Sequence, residues 1–294
     1  MPKRYDVVVV GAGLGGLSSA TALARAGLKV LLLERHNIPG GYATSFVRGR
    51  FEFEVALHEL SGMGKEGEPA GTWHYLERLG VAERVELAFA PDIYRSVLPG
   101  LDLRLPVGRE AYEATLCQAF PRDADGIRRF LARVFALARE AVELERTFAD
   151  GRLDWRELVA APFRFPNAAR YLPATWGQVL DRDVRSPEAR MVLSQYWGYF
   201  GLPPSRVAFL YFALALATYI RYGASYVKGR SQALSNGFLD TFEDAGGEVR
   251  FNAPVTRILS HNGRVTGVVV GDEAFEADYV ISNTSPVTTV RDLL

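Results

Sequence analysis

The chain opens on two apolar runs separated by a small-residue stretch. Tyr5–Val10 is continuous and valine-rich, as expected of a parallel strand covered on both faces. Gly15–Ala26 is alanine-rich and predicts a helix, with Gly27 placed to end it as a left-handed cap. Lys29–Glu34 is a second strand, so the N-terminus reads as one βαβ unit of about 30 residues. The following "RFEFEVALHEL" alternates apolar and polar positions and predicts a half-buried strand.

The pattern changes between Val85 and Arg230. Short strands ("VELAFA", "IYRSVLP", "LDLRLP") lead into an amphipathic helix over Asp123–Glu145, with Ile127, Phe130, Leu131, Val134 and Leu137 on one face. Further helices are expected around Pro187–Phe200 and Pro203–Ile220. From Ser231 the first pattern returns. A helix ("SQALSNGFLDTFEDAGG") precedes "EVRFN", a hairpin turning at Asn262-Gly263, and "ADYVISN" as a closing buried strand. The expected organisation is α/β, a discontinuous Rossmann-like nucleotide-binding domain (1–84 and 231–294) with an inserted, mainly helical substrate domain (85–230).

The 294 residues carry 34 basic and 34 acidic side chains and 48% hydrophobic residues, enough for a large core and without an electrostatic case for nucleic acid. One cysteine excludes an intrachain disulfide and a thiolate cluster, and four histidines without ligand spacing argue against a metal site. Cys117 sits at an apolar helical position and reads as a quiet thiol. The first apolar run is too short for a signal peptide, which makes the cytoplasm the default location. Val207–Ile220 falls short of the ~20 residues that cross a bilayer. Its plain reading is a core helix; its sharper one is a helix lining an oily cavity or a membrane-facing entrance.

"GAGLGG" places Gly11, Gly13 and Gly16 in G-x-G-x-x-G spacing between a strand and a helix. Gly11 permits the tight turn, Gly13 lets the backbone approach a pyrophosphate, and Gly16 lets helix and strand pack closely. The helix N-terminus then offers N–H groups and a positive dipole end to phosphates. Glu34 closes the second strand, where a carboxylate accepts from ribose hydroxyls and repels a 2′-phosphate, disfavouring NADP. NAD and FAD remain. Arg35 and "PGG" incline the choice to FAD, because Pro39-Gly40-Gly41 forms a second close-approach turn in place of an immediate helix. The alternative for that turn is an ordinary surface loop.

"VVVVGAGLGGLSSATALARAGLKVLLLERHNIPGGYATSF" resembles the N-terminus of the flavin amine oxidase and phytoene desaturase superfamily. "FEFEVALHELSGM" and "YFGLPPSRVAFLYFALALATYIRYGASYVKGRSQAL" are similar to its carotenoid isomerase and retinol saturase-like branch. The resemblance implies FAD bound by Gly11, Gly13, Leu14, Gly15, Gly16, Glu34, Arg35, Gly40, Gly41 and Thr44, with the Val255 backbone at the adenine. It implies a hydrophobic polyene or isoprenoid substrate, desaturated, saturated or isomerised; peripheral membrane contact is the expectation only under the sharper reading of Val207–Ile220. Three positions depart from the family pattern: Glu54 replaces Asp, Ala56 replaces Gly, and Arg230 occupies a small-residue position.

No residue is singled out as a catalytic base, since the flavin carries the electron transfer. His58, Lys228 and Arg230 are the weak candidates beside it; a structural histidine, a surface lysine and a solvent-facing arginine are the plainer readings. A flavin amine oxidase acting on a polar amine and a non-catalytic FAD-binding chain are the rival functions. The resemblance covers only the first part of the family pattern. Ser285 and Pro286 launch a helix with Val287, Val290, Leu293 and Leu294 expected to lack a partner. A shortened chain, catalytically incomplete by itself, is therefore expected.

Overall fold

The computed structural model describes residues 3–147 and 155–294. The chain divides into two compact units, one of Met1–Leu60, Gly71–Ala88 and Ser225–Leu294, the other of Ser61–Ala70 and Phe89–Ala224. These boundaries differ from the expected 1–84, 85–230 and 231–294. Ser225 joins the first unit because it exchanges backbone hydrogen bonds with Leu60 at 2.7 and 3.0 Å, and Lys228 donates its N–H to Glu86 O at 2.8 Å. In the second unit, Glu68 meets Arg221 at 3.6 Å.

The first unit is built on a six-stranded sheet. Its order is Glu248–Arg250, β2 (Val30–Leu33), β1 (Arg4–Val10), Glu273–Ser282, Arg264–Val270 and Val255–His261. The first four strands are parallel and the last two pair antiparallel. β1 has neighbours on both edges, and Val7–Val10 are all buried, as its unbroken valine run requires. Helix α1 (Leu14–Arg25) follows, and Gly27 at φ +87° ends it, its N–H donating to Ala24 O at 2.9 Å while Leu28 N–H reaches Leu23 O at 3.2 Å. Asn262 and Gly263, at φ +51° and +74°, turn the expected hairpin.

Three expectations need correction in this unit. Only Phe51–Glu54 (β4) of "RFEFEVALHEL" is a strand, and it pairs with Ser45–Arg48 (β3) in a separate two-stranded hairpin. Lacking a sheet to lie on, it leaves Phe51 58% and Phe53 44% exposed rather than half-buried, and Phe46 stacks on Phe53 at 5.2 Å. The strand of "ADYVISN" buries Phe275 and Ala277 but exposes 71% of Tyr279, because its edges are paired and its faces are unequally covered. Of the four C-terminal apolar residues, Leu293 is buried with Tyr5, Ile258 and Phe275, while Val287, Val290 and Leu294 are exposed.

The second unit is mostly helical. Ala124–Thr147 turns Ile127, Phe130, Leu131, Val134 and Leu137 inward, each fully buried. Trp176 is buried between Phe130 and Phe212 and donates its indole N–H to Ser194 Oγ at 2.9 Å. The helix Phe209–Tyr222 is the plain core helix of the two readings of Val207–Ile220: Phe209, Phe212, Leu216 and Ile220 are in the same cluster as Trp176. Tyr211 on its other side is 61% exposed, and a cleft of this unit is lined by residues such as Thr175, Arg190 and Trp197. No helix among the described residues is long and apolar enough to cross a membrane. Cys117 lies half-buried on Arg109–Ala119, and burial pushes its thiol pKa up, away from thiolate chemistry.

Candidate functional site

The site grows from the C-terminal ends of β1 and β2, the end of a parallel sheet at which ligands bind. Gly11 leaves β1 at φ +97° with its N–H on Leu33 O at 2.7 Å, which ties the turn to the neighbouring strand. A Cβ at Gly16 would collide with the Gly11 carbonyl oxygen, so the close packing of helix and strand expected of this glycine is what the fold uses. Leu14 is the first residue of α1, and Gly13 caps it without a side-chain partner. The first-turn N–H groups lie beyond the reach of helical carbonyls and face the turn as donors.

Glu34 ends the second strand region and is 8% exposed. Its carboxylate accepts from Ala12 N–H at 2.6 Å through Oε2 and from His36 N–H at 2.8 Å through Oε1. A carboxylate has about four acceptor directions; two hold the side chain still and about two remain for ribose hydroxyls. The backbone of Glu34 accepts from Ala253 N–H at 2.8 Å, and His36 O accepts from Asn252 N–H at 2.9 Å. These bonds bring the start of the strand Val255–His261 to the same rim, with Val255 just past Ala253. Arg35 is exposed beside Glu34.

The second glycine turn is joined to the first. Gly40 donates its N–H to Ala12 O at 2.7 Å and forms a parallel bridge with Gly13. A Cβ at Gly41 would stand 3.1 Å from Gly13 Cα, and both glycines have positive φ, +117° and +61°. The surface-loop alternative for "PGG" therefore falls. Thr44 donates its hydroxyl to Gly41 O at 3.1 Å and is buried. Helix Arg230–Asp244 fastens the loop from behind: Ser235 Oγ donates to Ala43 O at 2.7 Å, and Gln232 Nε2 to Pro39 O at 3.3 Å. Ser235 and Gln232 went unpredicted, because nothing local in a helix shows which loop its polar side chains meet.

The weak candidates separate from this cradle. Lys228 pairs with Glu86 and Arg230 with Glu52, all four side chains well exposed, so both cations have surface carboxylate partners. Arg230 also adopts φ +71°, next to Gly229 at φ +82°. Two successive left-handed residues explain why small residues suit this position. His58 is exposed in the loop after β4. Glu54, by contrast, is engaged. It accepts from Ser45 Oγ at 2.8 Å, from Ser231 N–H at 3.3 Å and from Ser231 Oγ, joining the hairpin to the N-terminus of helix Arg230–Asp244. Burial pushes its pKa up, but the hydroxyls of Ser231, Ser45 and Tyr226 and the Ser231 amide outweigh burial and hold it below its ordinary value. Burial and the Glu54 carboxylate push Tyr226 up to about 12.

One further residue lies at the first turn. Asn283 follows the strand Glu273–Ser282 and donates its backbone N–H to Val10 O at 2.8 Å. Its carboxamide lies over the glycines: a Cβ at Gly13 would be 2.9 Å from Asn283 Nδ2, and one at Gly15 2.7 Å from Asn283 Oδ1. The glycines thus leave room for this side chain, a role that the reading of Gly13 as a pyrophosphate approach had missed. The parallel pairing of β1 with "ADYVISN" is the signal that places Asn283 there.

Two glycine turns and a buried carboxylate meet at the ends of parallel strands, an arrangement suited to a dinucleotide. Residues 14–292 match the family described as flavin containing amine oxidoreductase. The chain is 28% identical over 311 residues to the inactive all-trans-retinol 13,14-reductase of Danio rerio, covering 100% of this chain and 50% of that protein. It is 28% identical over 306 residues to prolycopene isomerase 1, chloroplastic, of an Oncidium hybrid cultivar, covering 99% and 50%. The chain therefore spans about half the length of these relatives. An oxidoreductase structure from Methanosarcina mazei superposes with a TM-score of 0.65 at 20% identity, over 99% of this chain and 61% of that one. The architecture, the cradle and the span of the match agree that this chain belongs to the flavin containing amine oxidoreductase family.

Proposed function

We propose that the chain forms the FAD-binding part of an oxidoreductase acting on a hydrophobic polyene or isoprenoid. The observation that carries the cofactor is the joining of the two glycine turns beside Glu34, through Gly40 N–H to Ala12 O at 2.7 Å and Ala12 N–H to Glu34 at 2.6 Å. A single-turn nicotinamide site has no use for the second turn. Glu34 takes the adenosine ribose hydroxyls, the turns at Gly11–Gly16 and Gly40–Gly41 take the pyrophosphate, and the Val255 backbone meets the adenine. Arg35 and Thr44 flank the loop between them. Bound FAD supplies the two-electron acceptor or donor that these side chains lack. The chain's own residues bind it, orient it and fix its negative charge on backbone N–H groups.

The substrate class is supported by the names of the relatives, a retinol reductase and a prolycopene isomerase. The family's name favours a second reading, oxidation of an amine. One relative is named inactive, which keeps FAD binding without turnover as a third outcome. Acid extraction of the purified protein, followed by chromatography of the released flavin, tests the cofactor. Anaerobic reduction and incubation with all-trans-retinol, prolycopene or putrescine then separate the substrate classes. A colourless protein that binds NADH and has no affinity for FAD would overturn the reading.

A further inference from the structure

The strand Glu273–Ser282 runs parallel to β1, with Ser282 level with Val10. Asn283 is thus the first residue beyond the strand end, beside Gly11, at the rim where β1 and β2 also end. Its position is held by bonds on both sides. The backbone N–H is on Val10 O at 2.8 Å. Ser282, Thr284 and Thr289 form a closed triangle of hydroxyls at 2.7, 2.9 and 3.0 Å around it in sequence. Thr289 Oγ1 also donates to Ser285 O at 3.1 Å, and buried Leu293 anchors the following turn. The carboxamide projects from this base across Gly13 and Gly15, next to the open N–H groups of α1, and the residue is exposed.

We propose that Asn283 is a cofactor-binding residue, donating an N–H of its carboxamide to the pyrophosphate of the dinucleotide held on the Gly11–Gly16 turn. The inference rests on the FAD reading above and adds to it a residue from the far end of the chain. The chemistry fits the position. A neutral amide offers donors that align with those of the helix N-terminus, and it adds no acidic charge where two phosphates must lie. The competing role is mechanical, in which the side chain only fills the space that Gly13 and Gly15 leave open.

Asn283→Asp preserves shape and places a negative charge there, which tests whether the side chain lies beside the phosphates, and Asn283→Ala removes the donor without adding charge, which tests the donated bond. FAD affinity is read from quenching of flavin fluorescence on titration into flavin-free protein. ADP and adenosine serve as competitors, the first with a pyrophosphate and the second without phosphate. The expected result is FAD and ADP binding at least tenfold weaker in Asn283→Asp, with adenosine binding unchanged. Asn283→Ala should weaken FAD and ADP about threefold to tenfold, again sparing adenosine, and it covers the case in which the Asp variant fails to fold. Folding of each variant is followed by its thermal midpoint without ligand. Unchanged FAD and ADP affinity in a folded Asn283→Asp protein overturns the proposal and leaves the FAD reading intact. Equal weakening of adenosine and ADP overturns it too, since the defect then does not involve phosphate. A native chain that binds neither FAD nor ADP overturns both.

Discussion

Replacing Glu34 by glutamine tests the cradle at its most constrained point. In the native fold the carboxylate accepts two backbone N–H groups, one on each oxygen, at 2.6 and 2.8 Å, and is 8% exposed. A glutamine amide has one acceptor oxygen, so either Ala12 N–H or His36 N–H must face an NH2 group. An unsatisfied buried donor costs about 1–3 kcal/mol. This loss applies to the flavin-free protein, because neither N–H belongs to the cofactor. At roughly 2–4 °C per kcal/mol for a chain of this size, the flavin-free melting midpoint should fall by about 2–12 °C. Cofactor binding suffers separately: charge-assisted bonds to ribose are worth about 1.5–3 kcal/mol, or roughly tenfold to a hundredfold in Kd. Differential scanning fluorimetry without flavin reads the first effect, and fluorescence titration with FAD reads the second. A glutamine variant with an unchanged flavin-free midpoint would refute the assignment of the carboxylate as the acceptor of both amides. Full FAD affinity would refute its ribose role.

Ser235→Ala removes the bond to Ala43 O and should cost about 1 kcal/mol; we expect faster amide exchange over residues 39–44 and about fivefold weaker FAD binding. Unchanged exchange there would show that the helix does not hold the loop. Leu216 is 1% exposed in the second unit's core, so Leu216→Asp should cost more than about 4 kcal/mol and abolish folding. A folded variant that merely lost lipid association would restore the cavity-lining reading. Tyr226 has a folded pKa of about 12 against an ordinary 10.0, so the neutral phenol is favoured in the fold. Its stabilisation is present below pH 10 and is lost as pH rises towards 12. Melting curves across that window should fall more steeply for the native protein than for Tyr226→Phe, and parallel curves would refute the coupling.

Much of the first unit was legible because its signals are local. The valine run of β1, the G-x-G-x-x-G turn, the cap at Gly27 and the Asn262-Gly263 hairpin each follow from backbone chemistry of a few adjacent residues. Lys228 and Arg230 illustrate what was not. Whether a cation faces a flavin or a surface carboxylate depends on the position of Glu86 or Glu52, which lies far off in sequence. The exposure of Phe51 and Phe53 has the same origin: alternation predicts a strand face, but only tertiary structure supplies the surface to cover it. The helix Phe209–Tyr222 carries an apolar composition that suits a core and a lined cavity equally, and periodicity does not separate them. Ser235, Gln232 and Asn283 became visible once the helix and strands were in register.

The pairing of β1 with Glu273–Ser282 has a consequence for biosynthesis. Val10 and Ser282 are neighbours in the sheet although nearly the whole chain lies between them. At a synthesis rate of 5–20 residues per second, the second neighbour of β1 emerges on the order of 15–50 s after β1 itself. During that interval a nascent chain presents the valine-rich strand with one edge unpaired, and β2 likewise awaits Glu248–Arg250. Such strands are templates for association with other chains. The nascent polypeptide should therefore depend on chaperones until the strand Glu273–Ser282 is made, and folding of this unit should be set by late, long-range pairing rather than by the early βαβ unit.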